Sequence, residues 1–307
     1  FDELSTDNSI SFADEDYTAV SGSAGVVWSI NDKHSLAFNY AYSERAPSSS
    51  EIFAYGPHIG SGTYEVGGGF NLTNDNGNYS VVQNGQSMNK EVSNNIDATY
   101  RYNTDNWNAS LSLFQNQVND YIYEDVSNLV LSDGEFITAQ DYQQLQSSGA
   151  GSEEETDGLP VVLFAQQDAQ LYGFEAQVDW HLNEQWRLDV FSDYTRAKLD
   201  KGGNVPRIPP LRVGSSIHYE YGNWHTEVEV TRNSKQDKIA ANETTTDGYT
   251  MLSAAANYYL DLGNVDMTLY LKADNLTDQE ARVHSSYLKD EAPLPGRSVS
   301  LGVRARF

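Results

Sequence analysis

The chain ends with the eleven residues Arg297-Ser298-Val299-Ser300-Leu301-Gly302-Val303-Arg304-Ala305-Arg306-Phe307. Apolar residues occupy every second position from Val299, and hydroxyls, a glycine and two guanidiniums occupy the positions between them. Such alternation predicts a β-strand with one apolar face and one polar face. Eleven tilted residues are also about the length that crosses the hydrocarbon layer of a bilayer. The aromatic residue at the end predicts the closing strand of a membrane barrel, with Phe307 facing lipid.

The same alternation recurs upstream of this segment. It is clearest in residues 107–113, 186–190, 211–220, 224–231, 252–260 and 265–272. A charge moved to the lipid face near the middle of the bilayer costs about 2–4 kcal/mol, so such a register is strongly enforced. A water-soluble β-sandwich would show two or three such segments. Their number here, with Trp or Tyr near their ends, indicates an all-β fold, a transmembrane antiparallel β-barrel.

The connections between these segments fall into two length classes. Short turns are predicted at 31–33, 103–105, 183–184, 222–223 and 263–264, and long connections at about 46–90, 124–159, 201–209, 236–248 and 278–296. Short periplasmic turns that alternate with long extracellular loops are typical of outer-membrane barrels. Eleven strands are predicted, starting near Tyr17, Ser35, Glu91, Trp107, Val161, Trp186, Ile208, Trp224, Tyr249, Val265 and Arg297. Bacterial single-chain barrels have even strand counts, so the odd count predicts that the chain is part of a barrel.

The composition narrows the possible functions. The net charge of −25 argues against nucleic-acid binding and suits a surface that attracts cations. The absence of cysteine excludes disulfides and thiolate metal sites. The sequence contains no G-x-S-x-G, H-E-x-x-H or phosphate-loop motif, so we do not expect an enzyme. The mean hydropathy of −0.57 does not argue against a barrel, because every second strand residue faces a polar lumen.

Several segments carry a family resemblance. The stretch from Asn275-Leu276-Thr277-Asp278 to Pro293-Leu294-Pro295-Gly296-Arg297 resembles the carboxyl-terminal signature of TonB-dependent outer-membrane receptors. Residues 168–176 and 206–212 are similar to the general pattern of that family. Residues 43–47, 50–54 and 55–67 resemble its zinc-uptake branch, mainly through Gly56-Pro57-His58. The polar insertion after Gly67-Gly68-Gly69, at 71–89, departs from the pattern of the relatives.

The resemblance implies a particular architecture and function. Receptors of this kind form 22-stranded barrels with a plug in the lumen. Residues 1–307 are then expected to be the carboxyl-terminal part of the barrel, with eleven of the strands, and the plug and coupling segment would precede them. The implied function is active uptake of a metal ion or metal chelate across the Gram-negative outer membrane, with zinc favoured as transported ligand rather than catalytic cofactor. The implied partners are outer-membrane lipid and a TonB-type energy-coupling complex.

The candidate metal ligands lie in the predicted external loops. His58, with Glu51 and Glu65 nearby in sequence, supplies the imidazole and carboxylate groups that zinc favours. For His284, metal capture and simple solvation of a charged loop both remain open. The same holds for the acidic run Glu153-Glu154-Glu155, which would concentrate cations or be a solvated loop. The group at His218, Glu220, His225 and Glu227 is predicted to face the lumen, either as a cation station or as ordinary lumenal polarity.

Three other functions remain open at this point. A siderophore or haem receptor of the same family would share the barrel and differ in its loops. A passive porin would need neither a plug nor a coupling segment. An outer-membrane enzyme or adhesin would use the acidic loops to bind a partner, although no catalytic set is visible in the sequence.

Overall fold

The computed structural model describes residues 15–148 and 158–306. Within these residues it contains sixteen strands and two short helices. The strands are β1 (Ser21–Ser29), β2 (His34–Arg45), β3 (Tyr55–His58), β4 (Thr63–Val66), β5 (Phe70–Asp75), β6 (Asn78–Gln83), β7 (Glu91–Asn103), β8 (Trp107–Ser132), β9 (Glu135–Thr138), β10 (Leu159–His181), β11 (Trp186–Leu199), β12 (Arg212–Tyr221), β13 (Trp224–Asn233), β14 (Tyr249–Asp261), β15 (Asp266–Asp274) and β16 (Ser298–Arg306), and the helices are α1 (Ser49–Phe53) and α2 (Ala139–Ser148). Phe307 and the run Glu153-Glu154-Glu155 lie outside the described residues.

Eleven of the strands form one continuous antiparallel wall. Their order is β1-β2-β7-β8-β10-β11-β12-β13-β14-β15-β16, so each strand pairs with the next wall strand along the chain. In the described residues, β1 and β16 are the two edges of this wall and do not pair with each other. The fold class and the strand count expected from the sequence are confirmed, and the wall is a partial transmembrane barrel. None of the helices in residues 15–148 and 158–306 is long and apolar enough to span a membrane.

The wall has two chemically different faces. In β16, Val299, Leu301 and Val303 are 65%, 80% and 61% exposed, and they pair in register with the apolar residues of β15. The same register continues through the wall, where Leu113 and Ile217 are exposed on this apolar face. A water-soluble monomer rarely exposes so large a continuous apolar surface. The apolar face is therefore the lipid face, and we call the opposite, polar face the lumenal face.

The short turns lie at one end of the wall, as the sequence predicts. Gly222 and Gly263 have φ values of 56° and 83° in the β12–β13 and β14–β15 turns. Glycine reaches this left-handed region without the steric cost that a Cβ atom imposes. Several boundaries differ from the prediction, and the first strand, β1, begins at Ser21 rather than near Tyr17. Strand β12 begins at Arg212 rather than near Ile208, because Pro209 and Pro210 have no N–H group to give to the ladder.

A further difference concerns β8 and β10, which are longer than a bilayer crossing requires. Strand β8 has 26 residues and β10 has 23, whereas about 9–11 tilted residues cross the hydrocarbon layer. The long connection expected from Glu124 therefore begins later, because residues 121–131 still pair with residues 159–167 of β10. Strand β4 pairs in parallel with this extension of β10 through Val161, Val162 and Leu163, and β3 pairs with β4.

The main apolar core lies in this extension and not within the wall. Tyr64, Val66, Phe70, Leu129 and Val161 form its buried centre. The polar insertion at 71–89 contributes the separate hairpin β5–β6, which is fixed to the core through Phe70. A barrel wall buries little of its apolar face in protein, so a protein core forms only where loops pack on one another. The core holds the external loops in a defined arrangement above the wall.

Candidate functional site

The long connections all emerge at the end of the wall opposite the short turns. They join β2 to β7, β8 to β10, β11 to β12, β13 to β14 and β15 to β16. Antiparallel neighbours return the chain to the same side after every two strands, so these five connections share one surface. The candidate site is built where they meet.

His58 and Glu65 come together in the hairpin formed by β3 and β4. The register of the hairpin pairs His58 with Thr63 and Gly56 with Glu65. Its turn is closed by the Gly62 N–H, which donates to the His58 carbonyl at 3.0 Å. Tyr64 and Val66 alternate with Glu65 and are buried in the apolar core, which leaves Glu65 on the other face of the strand. The alternation of one short strand thus places the carboxylate beside the imidazole.

The geometry of this pair suits partial metal ligation. His58 Nδ1 lies 3.3 Å from Glu65 Oε1 and 2.7 Å from Ser61 Oγ. The His58 side chain is 58% exposed, whereas that of Glu65 is 12% exposed. Burial raises the pKa of Glu65, and the adjacent His58 imidazole opposes that rise. A pocket of about 430 Å³ opens beside the pair, lined by residues 54–58 with Tyr64 and Glu65.

A second group of polar residues, from strand β8 and from the β11–β12 and β15–β16 connections, acts on the charge of this pair. Arg207 Nη2 contacts Glu124 Oε2 at 2.8 Å, and its guanidinium lies 4.0 Å from the centre of the Tyr287 ring. The Tyr287 hydroxyl donates to Glu124 Oε1 at 2.9 Å. Burial raises the pKa of Tyr287 to about 12 although Arg207 opposes the shift. Both Glu124 and Arg207 also act on the charge of Glu65.

Glu51 has a different position from the one its sequence neighbourhood suggests. Its carboxylate contacts Arg45 Nη1 at 2.8 Å and accepts the Ser48 N–H at 2.6 Å. Together with the Ser48 hydroxyl it forms the capping box at the start of α1. Burial opposes ionisation of Glu51, but the bonds to Arg45 and Ser48 lower its pKa overall. The structure thus joins His58 to Glu65 and engages Glu51 with Arg45.

His284 is buried and not part of a solvated loop. It is 2% exposed, its Nδ1 lies 2.8 Å from Thr246 Oγ1, and its Nε2 lies 3.2 Å from Glu243 Oε1. Solvation of this loop charge, one of the two interpretations left open by the sequence, is wrong for His284 because the β13–β14 connection covers it. Asp290, in the same connection as His284, accepts the Thr244 hydroxyl at 2.7 Å. These contacts hold the β15–β16 connection against the β13–β14 connection.

Several of these residues were not singled out by sequence reasoning. Glu124 and Arg207 are 83 positions apart, and Tyr287 is 163 positions from Glu124. Nothing local in the sequence relates them, although Arg207 lies in a segment that resembles the family pattern. Glu243 was also missed, and it accepts the backbone N–H groups of Ala240 and Arg207 at 2.9 Å each.

The group predicted around the β12–β13 turn is brought together on the lumenal face. His218, His225 and Glu227 each have a ligand atom within 4.8 Å of the others. Glu220 contacts His225 Nδ1 at 2.9 Å. This group lies toward the short-turn end of the wall, away from the external loops.

Comparison with known proteins identifies a family and several solved structures that share this architecture. The family model described as TonB dependent receptor-like, beta-barrel matches residues 1–276. Among solved structures, the chain is similar to a copper transporter, OprC, with 20% identity and a TM-score of 0.66 over 92% of this chain and 38% of that one. It is also similar to the FrpB iron transporter from Neisseria meningitidis, with 14% identity and a TM-score of 0.59 over 92% and 38% of the two chains.

A third similar structure is the siderophore receptor PirA from Acinetobacter baumannii. It has 16% identity and a TM-score of 0.61, and the match covers 93% of this chain and 41% of that one. At these identities the structural similarity shows the fold alone. The chain spans about two fifths of the length of each of these three proteins.

Proposed function

Because this chain belongs to the TonB-dependent receptor-like β-barrel family, we propose that it is part of a receptor that takes up a metal ion or a metal chelate. The location we propose is the outer membrane of a Gram-negative bacterium, where the lipid face of the wall contacts the hydrocarbon layer. Energy for uptake would come from a TonB-type complex that engages an amino-terminal region of the receptor. The transported ligand would be bound first at the external loops.

The observation that carries the metal assignment is the contact between His58 and Glu65. An exposed imidazole lies beside a carboxylate that is largely buried, at the edge of a pocket of about 430 Å³. Nitrogen and carboxylate oxygen together suit zinc and copper, whereas calcium and magnesium prefer oxygen ligands alone. Two protein ligands leave the other coordination positions to water or chelator, so the ion can be released. We favour zinc as the transported ion.

A siderophore or haem receptor is the second candidate. The similar structures include a copper transporter, an iron transporter and a siderophore receptor, so family membership leaves the ligand open. An anionic chelate would need uncompensated basic groups at the loops. Arg207 is instead paired with Glu124, and the net charge of the chain is −25. These charges favour a free cation over an anionic chelate.

Uptake measurements distinguish active transport from a passive porin. We expect cells that produce the intact receptor to take up radioactive zinc at low external concentration, and we expect a protonophore to abolish that uptake. Energy-independent uptake would contradict the receptor function and support the porin. Calorimetric titration with zinc, ferric siderophore and haem in turn would then identify the ligand class, because only the true ligand should bind tightly.

His58→Ala tests the proposed ligand directly. We expect this variant to lower the affinity of the intact receptor for zinc by at least tenfold, because one of the two protein ligands is lost. Glu65→Ala should give a comparable loss, whereas Glu51→Ala should give a smaller one, since the Glu51 carboxylate is bonded to Arg45 and Ser48. Isothermal titration calorimetry of the detergent-solubilised receptor measures all three.

The control for this series is His34→Ala. His34 lies at the short-turn end of the wall and contacts Tyr100 Oη at 2.6 Å, so its loss should leave zinc affinity at the loops unchanged.

Zinc binding should weaken as the pH falls, because a proton competes for the Glu65 carboxylate. The raised pKa of Glu65 means that this loss begins at a higher pH than for an ordinary glutamate. Unchanged zinc affinity in His58→Ala would refute the assignment.

A further inference from the structure

A second histidine–carboxylate group lies on the lumenal face of the wall. His218 on β12 pairs directly with Glu227 on β13, and His225 lies two residues before Glu227 on the same face. Each side chain offers one ligand atom, and these atoms lie within 4.8 Å of one another. Among the residues that the structure describes, this is the one group of three histidines and carboxylates with that spacing. The sheet register therefore assembles three candidate ligands on two neighbouring strands.

The burial of His218 indicates that something else completes its environment. The residue is 7% exposed, and neither of its ring nitrogens makes an aligned hydrogen bond. Asp189 Oδ2 lies 2.8 Å from Nε2, but the two groups are not aligned for a hydrogen bond. Buried polar atoms are nearly always satisfied, and one without a partner is costly. A metal ion bound by the ring would remove that cost.

His225 is oriented as metal-binding histidines commonly are. Glu220 Oε1 contacts His225 Nδ1 at 2.9 Å, which leaves Nε2 as the available nitrogen. A carboxylate on the distal nitrogen fixes the tautomer and the ring orientation of a ligand histidine, and makes the other nitrogen more basic. Asp189 is close enough to act on His218 in the same way. Each imidazole thus has a carboxylate beside one of its nitrogens, and Nδ1 of His218 has no hydrogen-bond partner.

Charge and space around the group also suit a cation. Arg187 is the direct pair of His218 on β11, but its Nε contacts Asp189 Oδ1 at 3.1 Å and its charge is compensated. Glu227 and Glu229 border a cavity of about 200 Å³, which Lys272 also lines, and the Lys272 charge is paired with Asp274 at 3.1 Å. The small side chain of Ala255 stands opposite Glu227 on β14 and leaves this space open. An ion bound here would have room for water molecules as further ligands.

We propose that His218, His225 and Glu227 form a binding site for a divalent transition-metal ion on the lumenal face of the barrel. Two imidazole nitrogens and one carboxylate oxygen select the class that includes Zn²⁺, Cu²⁺, Ni²⁺ and Co²⁺, and disfavour Mg²⁺ and Ca²⁺. Asp189 and Glu220 position the two histidines. The proposal does not rest on the uptake function, since a metal in the wall can bind whether or not the receptor transports one.

Cobalt titration tests this site. The intact receptor with the background substitution His58→Ala is purified in detergent, so that the external pocket does not contribute. We expect one equivalent of Co²⁺ to bind, with a visible absorption band that reports coordination by the protein. His218→Gln and Glu227→Gln should each lower the Co²⁺ affinity more than 100-fold and remove the band. Asp189→Asn should lower the affinity by about 10–100-fold, as for residues that orient a ligand.

The matched control is His34→Gln, which removes a histidine at the same end of the wall but in a different turn. It should bind Co²⁺ like the parent protein. Unchanged binding and spectrum in His218→Gln, or an equal loss in His34→Gln, would overturn the proposal. If His218→Gln does not give the folded, heat-modifiable receptor, His225→Gln and Glu227→Gln decide the question, because both residues are only partly buried. Retained cobalt binding in both of these variants would also overturn it.

Discussion

Replacing Leu113 by arginine is expected to prevent most of the receptor from assembling in the outer membrane. Leu113 is 54% exposed on the lipid face, six residues after Trp107 at the short-turn end of β8. A rise of about 3.3 Å per residue with a tilt of about 45° places it roughly 14 Å into a hydrocarbon layer about 30 Å thick. A cationic side chain at this depth costs about 2–4 kcal/mol.

The matched control is Ser112→Arg, one residue earlier on the lumenal face. Ser112 pairs with Glu175 and borders a lumenal cavity of about 450 Å³, so an arginine there meets an acidic partner and has space. The control loses only the hydroxyl contact with Thr99, at 2.8 Å. The amount of heat-modifiable receptor in outer-membrane fractions measures both variants. Equal amounts of the two would contradict the assignment of the lipid face.

Replacing Glu243 by glutamine is expected to loosen the external loops while leaving the barrel wall intact. The Glu243 side chain is 6% exposed and contacts His284 Nε2 at 3.2 Å, besides the N–H groups of Ala240 and Arg207. Glutamine has one acceptor oxygen where the carboxylate has two, and a buried donor left without its acceptor costs about 1–3 kcal/mol. Hydrogen–deuterium exchange should therefore become faster in residues 236–248 and 282–290, with no change in the wall strands.

The loop order should also depend on pH in a defined direction. Burial raises the pKa of Glu243, but the contacts with His284, Ala240 and Arg207 outweigh burial and lower it from 4.5 to about 2. A carboxylate whose pKa is lowered on folding stabilises the folded state fully above its unfolded value, and this contribution is lost as the pH falls through the folded value. Relative to the intrinsic amide exchange rate at each pH, we expect exchange in the loops of the parent protein to rise between about pH 4.5 and pH 2.

The control for this pair of measurements is Glu280→Gln. Glu280 lies in the same connection as His284, but its side chain is 67% exposed and pairs with Arg282 at the surface. Exposed ion pairs contribute little to stability, so this variant should exchange like the parent protein. In Glu243→Gln, the increase in loop amide exchange on acidification should be much smaller than in the parent protein. Equal exchange in all three proteins would mean that the Glu243–His284 contact does not order the loops.

The two predictions concern parts of the chain that differ in how far sequence determines them. Side chains alternate across a strand with period two, and a lipid environment excludes charge from one face, so the apolar positions of β16, β12 and β8 could be read from the sequence. The tight turns at Gly222 and Gly263 were predictable for the same local reason, since only a few residue types tolerate their backbone geometry. A slip by one residue would turn every apolar side chain toward the lumen. The strand count, the register and the two ends of the wall therefore follow from local patterns.

The contacts among the loops were decided only by the tertiary structure. His58 and Glu65 are close in sequence, and a short hairpin brings them together, but Glu51 is equally near in sequence and pairs with Arg45 instead. His284 looked like a solvated loop residue and is buried, because a connection some forty positions earlier folds over it to supply Glu243 and Thr246. Such contacts depend on how separate loops pack above the wall, and no residue period in the chain encodes that packing. On the lumenal face the alternation places His218 and Glu227 on one side of two strands. The position of His218 beside Asp189 depends on β11, the strand that pairs with β12 on its other edge.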